Sequence, residues 1–184
     1  MLGGTDMLVF ETSKLLLEPL NQSEWENYLE HLDMYNEYYF QYGYEDKDEL
    51  LPLIQTPGEM GIYYTIKKSG TNEMVGYVGI TPELDELPYD NLEIYIFNEY
   101  RREGYAYEAL SVIIDEYLRG RLTERIPQEI VAETLYENKP TIYLLEKLGF
   151  VKEAFGLRIS LDNGGEGLQP MGIRRYVRRY ENIN

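Results

Sequence analysis

The sequence of 184 residues contains no cysteine and a single histidine, His31. Without cysteine the chain has no disulfide bond, no thiolate metal site and no cysteine nucleophile. One histidine also cannot build a histidine-rich metal site, so we expect no metal. We interpret His31, which lies in the helix-forming segment "EHL", as a surface residue, with a catalytic histidine as the alternative.

Long apolar runs and basic residues are also scarce. No run approaches the roughly 20 residues of a membrane span, and residues 1–10 lack the basic and apolar segments of a signal peptide. The chain has 17 basic and 33 acidic residues, a formal net charge of −16. Such a charge repels nucleic acid and anionic membranes and attracts cations, although acidity for solubility alone gives the same balance. We therefore expect a cytoplasmic protein without a nucleic-acid or membrane partner.

The pattern of apolar residues predicts a single domain, 1–184, in which strands and helices are mixed. Strands are predicted near residues 15–20, 61–68, 74–81, 91–97, 129–135, 151–160 and 171–180. The turn sequence "SGTN" joins the second and third of these as a hairpin. Helices are predicted for residues 23–32, with Ser23 as the N-cap, for the end of 34–54, for 105 to about 120, and after Asn138. The last strand is ambiguous, because its apolar side chains also fit helical spacing.

The segment "NEYRREGYAYEAL", residues 98–110, connects a predicted strand to a predicted helix. A helix N-terminus presents unpaired N–H groups and the positive end of a dipole, which suits a phosphate. Gly104 permits a tight turn, and the small Ala106 lets a ligand approach the backbone closely. Arg101 and Arg102 add local positive charge. The alternative is an ordinary strand-to-helix turn whose arginines pair with glutamates, since Arg-x-x-Gly-x-Ala alone is a weak pattern.

The segment "ENKPTIYLLEKLGF", residues 137–150, is the second part of the pattern. On its own it predicts a short helix with Asn138 as the N-cap and Pro140 in the first turn. Gly149 is expected to end that helix. The segment carries chemistry only if it acts together with the loop before Tyr105.

The two segments together resemble the GNAT superfamily of acyl-CoA-dependent N-acyltransferases, and within it the branch of ribosomal-protein N-terminal acetyltransferases. Arg101-x-x-Gly104-x-Ala106 matches the family's Gln/Arg-x-x-Gly-x-Gly/Ala pyrophosphate loop. "NKPTIYLLEKLGF" matches its Asn-x-x-Ser…Glu-Lys-Leu-Gly-Phe stretch, with Thr141 in place of Ser. "KLLLEPLNQSEWENYLEHL" resembles the branch's first strand and helix, so the resemblance covers residues 14–180.

This resemblance implies an α/β (α+β) fold. It has a mixed, mostly antiparallel sheet of about seven strands, splayed between strands 4 and 5 and flanked by about four helices. It also implies acetyl-CoA as the co-substrate, with the thioester arm in the gap of the sheet. The backbone of Ile96 and Phe97 would pair with that arm, and Asn138 and Thr141 would contact it from the far side. The pyrophosphate would be held at the loop by the N–H groups of Arg102, Glu103, Gly104, Tyr105 and Ala106, with charge from Arg101.

The activity implied is transfer of an acetyl group to a primary amine, either a peptide N-terminus or a small molecule. Because the chain has no cysteine to be acylated, we expect direct transfer in a ternary complex. Such an amine is mostly protonated at neutral pH, so a base is needed, and carboxylates are the candidates. Glu133 lies five residues before Asn138, the spacing of the glutamate base in some peptide N-terminal members. Glu93 lies on the fourth strand, where other members place theirs. For each, a solvated strand carboxylate is the alternative, and the general acid is unassigned.

Two hypotheses from different classes stay open: an N-acetyltransferase, and a non-catalytic CoA-binding regulatory module with a GNAT fold. P-loop nucleotide hydrolysis and dinucleotide binding are excluded, because the chain lacks both glycine-rich signatures. Residues 35–44 contain six aromatic residues, and this region borders the acceptor groove in the family. Aromatics with carboxylates suit a cationic amine acceptor, whereas packing of two helices on the sheet is the alternative. Assembly as a homodimer also stays open.

Overall fold

The computed structural model describes residues 8–21, 23–24, 61–81, 90–123, 127–161 and 168–179. The strands in these ranges are β1 Phe10–Glu11, β2 Leu15–Pro19, β3 Ile62–Lys68, β4 Met74–Thr81, β5 Asn91–Ile96, β6 Glu129–Leu135, β7 Val151–Leu161 and β8 Leu168–Arg179. The helices are α1 Tyr105–Leu118 and α2 Lys139–Lys147, and a 3-10 turn covers Asn98–Tyr100. None of the helices described is long and apolar enough to cross a membrane. The other two predicted helices, with His31 and residues 35–44, lie almost wholly outside the described residues.

All eight strands belong to one sheet, in the order β1-β2-β3-β4-β5-β6-β8-β7. Neighbouring strands are antiparallel except β5 and β6, which are parallel. This mixed, mostly antiparallel sheet confirms the predicted fold class. The ambiguous C-terminal run is strand β8, because it pairs with β6 on one side and β7 on the other.

The predicted splay of the sheet lies between β5 and β6. Asn91 pairs with Val131, and the Val131 N–H donates to the Asp90 carbonyl at 2.8 Å. Within the described residues no further pair joins these two strands. The splay falls one strand later than the family numbering implies, because the short β1 adds a strand at the edge of the sheet.

The two faces of the sheet carry different side chains, since residues alternate along a strand. One face, here called the helix face, packs against α1 and α2. Its buried cluster includes Leu92 and Ile96 of β5, Ala132 of β6, Tyr176 of β8, Leu110 and Ile113 of α1, and Leu145 of α2. The opposite face, here called the second face, carries the odd-numbered residues of β5 and β6. Glu93, Tyr95 and Glu133 therefore lie on the second face.

The first helix begins at a different residue from the one predicted. Ser23 is already helical, and its N–H and hydroxyl both donate to Asn21 Oδ1, at 3.0 and 2.6 Å. Glu24 Oε2 accepts from the Asn21 N–H at 3.4 Å, which completes a capping box. The prediction of Ser23 as the N-cap was therefore wrong by two residues. Asn21 caps the helix because Glu24, three residues later, reaches back to its backbone.

Candidate functional site

The gap between β5 and β6 exposes the backbone of β5. Phe97 N–H donates to the Val75 carbonyl at 3.0 Å, which fixes the hydrogen-bond phase of β5 against β4. Antiparallel pairing alternates, so Ile94 and Ile96 direct their N–H and C=O groups toward β6. After Asn91, where the pairing with β6 ends, the N–H and C=O groups of Ile94 and Ile96 therefore face the gap. Of the two residues predicted to line it, Ile96 does so, while the Phe97 N–H is bonded within the sheet. The sequence did not predict that Ile94 lines the gap. Which residues of β5 direct their backbone groups toward β6 is decided only by the pairing of β5 with β4.

Arg101 anchors the loop that follows β5. Its Nε donates to the Ile96 carbonyl at 2.9 Å, and its guanidinium carbon lies 5.7 Å from the centroid of the Tyr95 ring. These contacts fix the loop at the edge of the gap. The sequence suggested Arg101 as a source of charge, and the structure adds this anchoring role. Because these contacts hold the Arg101 guanidinium beside the loop, its positive charge also lies there.

The loop has a backbone that suits an anion. Arg102 and Gly104 are left-handed, with φ values of 69° and 84°. Gly104 is the N-cap of α1, and no side chain in the described part of the chain caps that helix end. A Cβ at Gly104 would meet only Lys14 Nζ, at 3.9 Å, so space is open beside the backbone. Uncapped N–H groups, a helix dipole and open space together fit a phosphate group.

The turn between β1 and β2 supports the same helix end. Lys14 Nζ donates to the Glu103 carbonyl at 3.2 Å, which places a further cation at the loop. The Glu108 carboxylate, in the first turn of α1, accepts from Ser13 Oγ and from the Lys14 N–H, both at 2.9 Å. Burial raises the pKa of Glu108, but hydrogen bonds from Thr12, Lys14 and Ser13 outweigh it and hold that pKa below its ordinary value. Glu108 is thus engaged by this turn.

Asn138 and Thr141 lie at the first turn of α2, directly after β6. Asn138 is the N-cap, and its Oδ1 accepts from the Thr141 N–H at 3.3 Å, which confirms the predicted cap. Gly149 follows the helix with a φ of 83°, which confirms the predicted stop. Because β5 and β6 are parallel, their C-terminal ends meet at one edge of the sheet. The start of α2 therefore lies across the gap from the loop of Arg101–Gly104.

The structure brings the two candidate bases to the same level of the gap. Asn91 and Val131 form the parallel pair, and Glu93 and Glu133 each lie two residues further along their strands. A shift of two residues keeps a side chain on its face of the sheet. The two carboxylates therefore lie on the second face, on either side of the gap. On β8, Arg175 is the residue opposite Glu133.

Glu93 is partly buried beside an aromatic ring. Tyr63 of β3 pairs with Gly79 of β4, which pairs with Glu93, so the three lie in one row. A Cβ at Gly79 would come within 2.5 Å of Tyr63 Cε1, so glycine leaves the room that the ring occupies. A hydrogen bond of 3.1 Å between the Tyr63 hydroxyl and Thr81 Oγ1 holds the ring. Burial raises the pKa of Glu93 to about 7.

This raised pKa predicts a dependence of stability on pH. The pKa of this carboxyl is ordinarily 4.5 and is about 7 in the folded protein. Between these two pH values Glu93 is therefore protonated in the folded state and ionised in the unfolded state. The stability from protonated Glu93 is fully present below 4.5 and is lost as the pH rises through about 7. Glu93→Gln should therefore raise Tm above wild type at pH 8 and much less at pH 4, by thermal unfolding. An equal change at both pH values would contradict the raised pKa.

Solved structures share this fold at low sequence identity. An acetyltransferase of the GNAT family from Bacillus anthracis matches with a TM-score of 0.68 at 18% identity, covering 94% of this chain and 98% of that one. A ribosomal-protein-S5-alanine acetyltransferase from Vibrio fischeri matches with a TM-score of 0.71 at 18% identity, covering 96% and 99%. A mutant spermidine N-acetyltransferase from Vibrio cholerae matches with a TM-score of 0.71 at 19% identity, covering 91% and 95%.

A comparison with curated proteins finds no match. In the described ranges no group of three His, Asp or Glu side chains could hold a metal ion, and the expectation that no metal is used stays a prediction. The model of the family described as "Acetyltransferase (GNAT) domain" matches residues 14–151, three quarters of the sequence. Proteins with this domain use acetyl-CoA as a co-substrate. The chain belongs to the GNAT acetyltransferase family.

Proposed function

We propose that this protein transfers an acetyl group from acetyl-CoA to a primary amine. The observation that carries the proposal is the gap between β5 and β6. The loop before α1, whose backbone suits a phosphate, lies at one edge of this gap. The carboxylates of Glu93 and Glu133 lie on either side of the gap, on the second face of the sheet. When bound, acetyl-CoA supplies an acetyl group as a reactive thioester. The residues of the chain bind this molecule, receive the amine and accept its proton.

Each part of the site has a task in the proposal. The N–H groups of Arg102, Glu103, Gly104, Tyr105 and Ala106 hold the pyrophosphate, with Arg101 and Lys14 beside them. The backbone of Ile94 and Ile96, with Asn138 and Thr141 opposite, lines the gap for the pantetheine arm. Glu93 accepts the proton of the ammonium group at its carboxylate. A base with a pKa near 7 is matched to neutral pH, so we assign the role of base to Glu93.

The acceptor we propose is a cationic amine. Two carboxylates flank the gap and the chain carries a net charge of −16, so a cation is attracted to the site. Two of the similar structures are named for acceptors with amino groups, the alanine of a ribosomal protein and spermidine. We therefore propose either an N-terminal peptide, as in the ribosomal-protein branch, or a polyamine-like small molecule.

An acetylation assay over a panel of amines tests this function. The panel contains N-terminal peptides, polyamines, aminoglycosides and neutral amines, and mass spectrometry detects the acetylated product. We expect a cationic amine to be acetylated in the presence of acetyl-CoA. Calorimetry with CoA is run in parallel. Binding of CoA without turnover of any amine would favour the regulatory module, and absence of both would contradict the family function in this chain.

The kinetic order gives a second prediction. The chain has no cysteine, so we expect no acyl-enzyme and a ternary complex of enzyme, acetyl-CoA and amine. Initial rates at several fixed amine concentrations should give double-reciprocal lines that intersect. Mass spectrometry of the protein incubated with acetyl-CoA alone should show no added acetyl group. Parallel lines, together with an acetylated protein, would contradict direct transfer.

A further inference from the structure

The side chain of Tyr63, on β3, is held in one position on the second face of the sheet. Its carbonyl accepts from the Leu20 N–H at 2.9 Å, and its hydroxyl shares a hydrogen bond of 3.1 Å with Thr81 Oγ1. The ring packs against a buried cluster of Leu20, Tyr77 and Phe97. Contacts at the backbone, the hydroxyl and the ring therefore fix this residue.

Two glycines leave the room in which the ring lies. A Cβ at Gly61 would come within 2.8 Å of Tyr63 Cε2, and a Cβ at Gly79 would come within 2.5 Å of Tyr63 Cε1. Both distances are shorter than an ordinary contact between carbon atoms, so a side chain at either glycine would displace the ring. The ring of Tyr63 therefore covers the part of β4 that Gly79 leaves without a side chain.

This cover lies next to the Glu93 carboxylate. Gly79 pairs with Tyr63 on one side and with Glu93 on the other. The side-chain positions of directly paired residues are about 5 Å apart, so a ring that lies over Gly79 also lies beside Glu93. No side chain separates the two, because the residue between them is glycine.

The groups that face Glu93 from the other strands carry opposite charges. Glu133 of β6 lies across the gap, and Arg175 of β8 pairs with Glu133. On β5 itself, the next residue on the second face is Tyr95, whose side chain is uncharged at neutral pH. Burial is the cause of the raised pKa of Glu93. On the β4 side, this burial is supplied by the ring of Tyr63.

We propose that Tyr63 is a positioning residue for the base, whose ring covers the β4 side of the Glu93 carboxylate and keeps water from it. The inference rests on the proposed function, because it takes Glu93 as the group that accepts the proton. An apolar ring beside a carboxylate disfavours the ionised form, since water cannot solvate the charge there. Glu93 then keeps the basicity that removal of a proton from an ammonium group at neutral pH requires.

The test measures the pKa of Glu93 in the protein without CoA or amine. Carbon-13 NMR of labelled glutamate carboxyls follows the titration, and Glu93→Gln identifies the signal. We expect wild type and Tyr63→Phe, which keeps the ring, to titrate near 7. Tyr63→Ala should lower the pKa of Glu93 below about 6, because water reaches the carboxylate. Tyr136→Ala removes an exposed tyrosine that follows β6, and this control should leave the pKa unchanged.

Two further measurements report the same change through activity and stability. The kcat/KM of Tyr63→Ala should begin to rise at a lower pH than that of wild type, whereas Tyr63→Phe should follow wild type. A merely structural role would lower Tm or kcat without moving this step. The gain in Tm that we expect from Glu93→Gln at pH 8 should largely disappear when Tyr63→Ala is also present, because an already hydrated carboxylate gains little from its replacement.

The outcomes separate this inference from the proposed function. A pKa of Glu93 near 7 in Tyr63→Ala would overturn the inference and leave the proposed function intact. An equal fall in Tyr63→Phe would also overturn it, since that result assigns the effect to the hydroxyl. If the step in kcat/KM persists in Glu93→Gln, Glu93 is not the base, and the proposed role of Glu93 fails whatever the NMR shows. Tyr63→Thr, a strand-forming residue without a ring, gives the same test if the alanine variant does not fold.

Discussion

Replacing Glu93 by glutamine is expected to lower kcat by roughly 10²–10⁴-fold and to leave CoA affinity nearly unchanged. Glutamine keeps the shape of the side chain but cannot accept a proton from the ammonium group. Glu93 lies on the second face beside the gap, away from the loop proposed to hold CoA. Steady-state kinetics and calorimetry with CoA measure the two effects separately.

Glu133→Gln is the matched control, because Glu133 lies at the same level on the other side of the gap. We expect it to reduce turnover less than Glu93→Gln does. The kcat/KM of wild type should rise with pH through about 7 as Glu93 ionises, and the profile of Glu93→Gln should lack that step. A large loss confined to Glu133→Gln would assign the base to Glu133. Small losses in both variants would exclude a carboxylate base at this site.

Gly104→Val should weaken CoA binding on the order of 100-fold, which is about 2.7 kcal/mol. Gly104 has a φ of 84°, a conformation that a β-branched residue adopts only with strain. The valine side chain would also fill the open space beside the backbone, where a phosphate must approach the N–H groups. Calorimetry with CoA measures the loss, and circular dichroism checks that the variant is folded.

Gly70→Val separates strain from ligand approach. Gly70, in the β3–β4 turn, has a φ of 82°, and no atom lies within 4 Å of its added Cβ. Valine is therefore placed at a left-handed φ at both positions, so both variants carry backbone strain. Both variants should lose Tm by a similar amount, but only Gly104→Val should lose CoA affinity. If the two variants bind CoA equally well, or lose it equally, the loop does not hold the pyrophosphate.

Local signals in the sequence predicted most of the elements near the site. The stop at Gly149 and the cap at Asn138 follow from interactions within a few residues of each helix end, so they are visible without a fold. The start of the first helix was misplaced for a related reason. Both Asn21 and Ser23 are good cap residues, and the choice depended on the reach of the Glu24 side chain. For the C-terminal run, the apolar residues fitted strand alternation and helical spacing equally well. Only the pairing with β6 and β7 shows that this run is strand β8.

Contacts between distant residues were not predictable in the same way. The bond from Arg101 to the Ile96 carbonyl, and the ring of Tyr63 over Gly79, depend on strand register rather than on local pattern. A shift of one residue would exchange the two faces of the sheet and remove both contacts. The same holds for Lys147 over Tyr107, which joins residues forty positions apart in the chain.

The sequence alone determined the mixed α/β character, the phosphate-suited turn before α1, the short helix after Asn138 and the two carboxylates that could serve as a base. These depend on periodicity, on the conformational freedom of glycine and on side-chain chemistry, all of which are local. Only the tertiary structure decided that β5 and β6 part after one pair, that Glu93 and Glu133 share a level and a face, and that burial gives Glu93 a pKa near 7. Strand pairing and desolvation arise between segments far apart in the chain, so no single stretch of residues specifies them.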